Sequence, residues 1–203
     1  MAGAAGASLL CLPVRSAWSA DAIAELKAFS ANTSSARGEF SQQLLKGGRQ
    51  GMPAAQGEFA FARPGRFRWD IRKPYEQLIL TDGRRLYFYD KDLRQVTIRP
   101  AGEVIKSTPA AVLFGGGDLD AAFQLTARGP HDDFNWVEAR PRQADSGFDQ
   151  ILIGLRDGLP LRMEVRDAFG QITRFDFSRL SRNGAVNEAD FRFTPPAGVD
   201  VIE

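Results

Sequence analysis

The sequence predicts a mainly β (α+β) fold: a single antiparallel sheet, an open barrel or half-barrel, with a few short helices laid across one face. Three observations carry this expectation. Apolar–polar alternation recurs along the chain, as in Phe67–Arg72, where Phe67, Trp69 and Ile71 alternate with Arg68, Asp70 and Arg72. Turn signals separate these stretches, among them Pro64-Gly65, Lys73-Pro74, Asp82-Gly83 and Asp157-Gly158. Helical periodicity is confined to short segments, too apolar to lie free in water, that need a surface to cover.

In chain order, Asp21–Phe29 reads as a short amphipathic helix, with Ile23, Leu26 and Phe29 on one stripe and Asp21 at its positive end. Strands follow at Arg37–Lys46, Gln56–Arg63, Phe67–Ile71, Leu78–Thr81, Arg85–Tyr89 and Gln95–Arg99. The run Gly47-Gly48-Arg49-Gln50-Gly51 makes a hairpin tip between the first two, and Pro64 ends the second because proline cannot donate to a ladder. Ser107–Phe114 changes character: Thr108 can cap, Pro109 suits a first helical position, and Gly115-Gly116-Gly117 ends the helix. Asp118–Phe123 suggests a further helical turn. Strands resume at Phe134–Arg140, Phe148–Leu155, Leu161–Asp167 and Ile172–Leu180, and Phe191 and Phe193 repeat the alternation before Pro195-Pro196.

At 203 residues the chain suits one sizeable core. With 26 basic and 25 acidic residues, it has no global field for nucleic acid or an acidic membrane surface. Residues 1–19 read as an export signal, leaving 20–203 as the mature domain: Ala4–Val14 is small and apolar, and Ala17-Trp18-Ser19 offers a small-x-small cleavage site. A basic start is missing, and the alternative is an N-terminal tail. The sole cysteine, Cys11, lies inside this segment behind Leu10, where a lipid-attachment cysteine would need a small residue.

The residues point away from catalysis. There is no phosphate-cradling loop, nucleotide fingerprint or G-x-S-x-G elbow. The lone histidine, His131, sits beside Asp132 and Asp133 in a turn, which reads as solvated rather than as a metal site. Asp90 and Asp92 flank a hairpin tip and read as turn chemistry. No metal ligands or cofactor motif are identified. What the chain does have is 15 Phe and 3 Trp, many of them on the dry side of strands. Periodicity alone leaves two readings open, a closed core or an apolar cavity beneath a helical lid. One residue breaks the pattern: Arg63 shares the parity of Phe59 and Phe61, so an unbulged strand would aim its guanidinium at the dry side.

Several segments together resemble a known family. They are Arg63-Pro64-Gly65-Arg66-Phe67-Arg68-Trp69, Pro74-Tyr75-Glu76-Gln77, Thr81-Asp82-Gly83, Tyr89-Asp90, Gln95-Val96-Thr97, Thr108–Leu113 and Phe193-Thr194-Pro195-Pro196-Ala197-Gly198-Val199. In this order they resemble the periplasmic outer-membrane lipoprotein carriers, the LolA family. The resemblance implies an unclosed barrel with a helical lid over an apolar cavity, and a monomer without cofactor or enzymatic activity. Its expected partners are acylated lipoproteins, an inner-membrane ABC-type release complex and an outer-membrane lipoprotein receptor. It makes Arg63 the lid latch and Phe67 a contact for cargo and partner. Phe61, Trp69, Ile71, Ile79, Val112 and Leu113 become the cavity wall. Two departures stand out: some carriers continue past the Pro-Pro-x-Gly-Val motif, whereas this sequence stops at Glu203, and Gly115-Gly116-Gly117 alters the lid. The alternatives are a generic periplasmic binder of lipid or hydrophobic ligand, the membrane-anchored receptor of the same pathway, and a sheet scaffold with a filled core.

Overall fold

Twelve strands form one open sheet in a computed structural model that describes residues 18–45, 53–101, 113, 118–143 and 147–203. A helix, α1 (Trp18–Asn32), precedes β1 (Ser35–Leu45), β2 (Pro53–Ala62), β3 (Arg66–Lys73), β4 (Gln77–Asp82), β5 (Arg85–Asp90) and β6 (Gln95–Pro100). A one-turn helix, α2 (Leu119–Ala122), leads into β7 (Phe123–His131), β8 (Phe134–Pro141), β9 (Phe148–Arg156), β10 (Leu159–Asp167) and β11 (Ile172–Arg182). A 3-10 turn at Glu188–Phe191 and the short β12 (Asp200–Ile202) close the chain. The order across the sheet is β12-β6-β5-β4-β3-β2-β1-β11-β10-β9-β8-β7. Two meanders are therefore sewn together by the antiparallel pairing of β1 with β11. The edges β12 and β7 remain apart, so the barrel is unclosed, as the alternation predicts.

The expected strands are all present, most of them longer than the periodic stretches. Helix α1 extends past Asp21–Phe29 at both ends, and Leu26 and Phe29 are buried with Ala22 on the inner face of the sheet. Asp118 caps α2, its carboxylate accepting the Asp120 N–H at 2.9 Å. Three features depart from the sequence reading. β7 starts directly at the end of α2, where a strand was not expected. Phe191 and Phe193 do not continue the strand alternation: Phe191 closes the 3-10 turn and Phe193 lies in an extended tail. The third departure concerns the faces of the sheet. On β4–β6 the outer face is dry as well, because Leu78, Leu80, Tyr87 and Val96 form a second core covered by Phe193 and Val199 of that tail. The rings of Tyr87 and Phe193 lie 5.6 Å apart.

On the inner face, register builds an aromatic wall. Phe59 pairs with Trp69 and Trp69 with Ile79, while Phe61 pairs with Phe67. Phe40 of β1 reaches across Gly57 of β2 to stack on Trp69 of β3, with centroids 3.7 Å apart. Only glycine permits this close approach. A Cβ on Gly57 would overlap the Asp70 carbonyl oxygen and fall 2.9 Å from Phe40 Cε1.

The outer face beyond β4–β6 carries ion pairs. Glu138 is 2% exposed between Arg128 and Arg140. Burial alone would raise its pKa, but hydrogen bonds from Arg140, Arg128 and Gln150 outweigh it and hold the carboxyl below its ordinary value. A depressed carboxyl stabilises the fold above its unfolded pKa and loses that contribution as pH falls through the folded value. Glu138→Gln is therefore expected to cost about 1–3 kcal/mol at neutral pH, a hydrogen-bonded charge being replaced by an amide. Urea unfolding should show that gap closing below about pH 4. A gap of the same size in acid would mean that charge contributes nothing there.

Candidate functional site

The chain ends β2 at Ala62 and turns at Arg63-Pro64-Gly65, which places Arg63 at the rim of the inner face, just past the strand. Its guanidinium lies 5.2 Å from the Phe61 ring centroid. Nη1 donates to the carbonyls of Ser30 and Thr33 at the end of α1. Nη2 donates to the carbonyl of Leu113 at 3.1 Å. One side chain thus ties together a strand end, the end of α1 and a helical residue of the segment between β6 and α2. Burial lowers the arginine's pKa from its ordinary value. A guanidinium nevertheless stays charged at physiological pH, and its donors suit the unpaired carbonyls of a helix end.

Below this tie lies the aromatic wall. Phe61 and Leu113 are each 1% exposed, Trp69 is 8% exposed, and Ile71 is buried with them in the main cluster. Phe67 and Ile79 are only partly buried at its margin. Of the expected wall residues, Val112 lies outside the described residues. Trp69 is the hub. Besides Phe40 it contacts the rings of Phe59, Phe67, Phe175 and Phe177 at 5.8–6.3 Å. The wall belongs to one buried cluster that also includes Ala22, Leu26 and Phe29 of α1. Phe88 of β5 extends the row past Ile79 and is 39% exposed.

Reading the sequence missed several contributors. Phe40, Phe175 and Phe177 come from β1 and β11, distant in sequence from β3, and only the β1–β11 pairing brings them to Trp69. Their alternation was legible; their meeting point was not. The carbonyl acceptors of Arg63 left no signal at all, because backbone atoms carry no residue identity.

An open groove of about 530 Å³ lies elsewhere, on the outer face, and includes Arg37, Glu58, Arg68, Asp70 and Arg72 in its lining. Ion pairs Arg72–Glu58 and Arg68–Asp70 run through it, so it is no place for hydrocarbon. His131, which the structure places at the end of β7 rather than in a turn, and Asp132 of the turn that follows are solvent-exposed, and the described residues contain no cluster of three or more potential metal ligands. Among the described residues no helix is long and apolar enough to cross a membrane.

An unclosed antiparallel sheet, its inner wall aromatic and its rim tied by an arginine to helical segments, defines a class of helix-covered half-barrels. Solved structures share this fold at low sequence identity. An uncharacterized conserved protein from Thermus thermophilus aligns over 90% of this chain and 98% of its own with a TM-score of 0.57 at 13% identity. A LolA superfamily protein from Nitrosomonas europaea aligns over 88% and 99% with a TM-score of 0.51 at 10% identity. Sequence is more specific. Residues 31–194 match the model of the family described as outer membrane lipoprotein carrier protein LolA. Outer-membrane lipoprotein carrier proteins of Bordetella avium and Bordetella pertussis are 47% and 46% identical to this chain. The alignments cover 88% and 97% of this chain, and 86% and 93% of those relatives. The chain belongs to the LolA family of outer-membrane lipoprotein carriers.

Proposed function

We propose that this protein is a periplasmic chaperone that carries lipoproteins by enclosing their acyl chains against the inner face of the sheet. Arg63 is the latch, and the observation that carries the reading is its tie from the sheet rim to α1 and Leu113 directly above the aromatic wall. Each methylene removed from water is worth about 0.8 kcal/mol, so acyl chains do not leave a membrane unless another apolar surface receives them. Phe61, Trp69, Ile71, Ile79 and the lid residues Val112 and Leu113 offer that surface. Phe67, at the margin, meets cargo and the release complex. Residues 1–19 direct export, and 20–203 form the carrier. In the closed form the rings around Trp69 contact one another until cargo parts them. Cargo arrives from an inner-membrane ABC-type release complex and leaves to an outer-membrane receptor. The carrier needs no cofactor, because a closed form favoured over the open one by only a few kcal/mol lets either partner shift the balance.

Spheroplasts provide the test. Purified mature protein is expected to release newly made lipoproteins into solution as a one-to-one complex. A folded protein that releases none would refute the carrier reading. Binding of free fatty acid in preference to triacylated lipoprotein would support a generic lipid binder instead.

A further inference from the structure

We propose that Asn183 is a positioning residue for Arg63: it caps the end of α1 and holds in place the carbonyls on which the guanidinium closes. The need arises in the sequence of α1. The helix runs into Thr33-Ser34-Ser35, with no glycine to make a left-handed C-terminal turn and no basic residue in its last turn. Its final carbonyls are satisfied from far along the chain. Arg63 takes those of Ser30 and, one residue beyond the helix, Thr33, while Asn183 takes that of Asn32.

The Asn183 side chain is a two-sided clasp. Nδ2 donates to the Asn32 carbonyl at 2.8 Å. Oδ1 accepts the Ser34 N–H at 2.8 Å and the Ser34 hydroxyl at 3.1 Å. A carbonyl can only accept and an amide N–H can only donate, so the two partners fix the orientation of the Asn183 amide. Backbone bonds extend the grip. Asn183 N–H donates to the Ser35 carbonyl at 2.7 Å, and Arg63 N–H donates to the Ser34 carbonyl at 2.8 Å. The Thr33 carbonyl therefore lies between two residues that Asn183 holds. This makes the α1 end a fixed jaw, anchored just past β11, from which Arg63 extends Nη2 to Leu113.

Backbone and side-chain roles can be separated. Asn183 has φ of 54°, in the left-handed region that asparagine and glycine tolerate. Asn183→Gly keeps the backbone and removes the clasp. Asn183→Asp keeps the two acceptor contacts to Ser34 and loses the donor to Asn32.

Hydrogen–deuterium exchange of the full chain, read over a peptide that contains Leu113, tests this without cargo. Asn183→Gly is expected to accelerate exchange there by about fivefold or more, the scale of one hydrogen bond, and Arg63→Leu to do the same. Asn183→Asp should accelerate exchange at least as much as Asn183→Gly, because its second carboxylate oxygen faces the Asn32 carbonyl, acceptor against acceptor. The double variant Asn183→Gly/Arg63→Leu should exchange no faster than Arg63→Leu alone, because both act through one contact. Parental exchange in the Asn183 variants would overturn the proposal, as would multiplied effects in the double variant. If Asn183→Gly fails to fold, Asn183→Asp decides by the same comparison. The link to lipoprotein transfer rests on the carrier reading. A parent protein that releases no lipoprotein would defeat that reading while leaving the exchange result to decide the role of Asn183.

Discussion

Arg63→Leu is expected to give a folded protein that accepts lipoprotein and passes it on poorly. In the proposed mechanism the latch belongs to the closed form, with the guanidinium bonded, as here, to the carbonyls of Ser30, Thr33 and Leu113. Acyl chains need the space that the closed form fills, so they bind the open form. Removing the latch destabilises the closed form alone and shifts the balance toward cargo. A hydrogen bond to a charged group is worth about 1.5–3 kcal/mol. Losing the Leu113 contact by itself therefore tightens cargo binding by roughly tenfold or more, since about 1.4 kcal/mol is a factor of ten. Transfer slows correspondingly, because the receiving partner must now compete with a carrier that gains less by closing. The measurement is transfer of bound lipoprotein from loaded carrier to purified receptor. Normal transfer by the leucine variant would remove Arg63 from the mechanism. Arg63→Lys should recover only part of the effect, because one ammonium cannot span acceptors on two segments with the geometry of a planar fork.

That arginine also marks the boundary of what the sequence makes legible. Its parity with Phe59 and Phe61 singles it out, and the structure aims it inward although Ala62 ends the strand. What it bonds to is invisible in sequence, since all its hydrogen-bond acceptors are main-chain carbonyls. Asn183 is hidden for a related reason. Arg182-Asn183-Gly184 reads as an ordinary turn, and only the return of β11 alongside β1 brings it to the end of α1. β7 escaped because Ala121-Ala122 continues helical composition to the residue where alternation begins, and Gly129-Pro130 then interrupts that alternation. The double-sided burial of β4, by contrast, has a signal: Leu78-Ile79-Leu80 is continuous rather than alternating, the pattern of a strand covered on both faces. The cover itself, Phe193 and Val199, lies more than a hundred residues away, in a tail whose Pro195-Pro196 resists strand formation.

Trp69→Ala is expected to move stability and binding in opposite directions, which separates a core residue from a wall residue. Trp69 stacks on Phe40 and touches Phe59, Phe67, Phe175 and Phe177, so truncation leaves a void among rings from β1, β2, β3 and β11. Losing a buried tryptophan costs about 3–5 kcal/mol. Against a domain stability of about 5–15 kcal/mol, the variant stays folded but sits closer to its unfolding transition. Urea unfolding measures that loss. The same void is a ready-made apolar site: the parent must separate its rings to admit a hydrocarbon chain, and the variant has done part of that work. An apolar fluorescent probe should therefore bind the alanine variant more tightly than the parent at equal folded concentration. Trp69→Phe, which retains a ring opposite Phe40, should lose less stability and gain less binding. If Trp69→Ala loses stability while probe binding stays flat, the inner wall is an ordinary core. A gain in binding that tracks the size of the void would make the rings around Trp69 a surface that acyl chains enter by displacing ring–ring contacts.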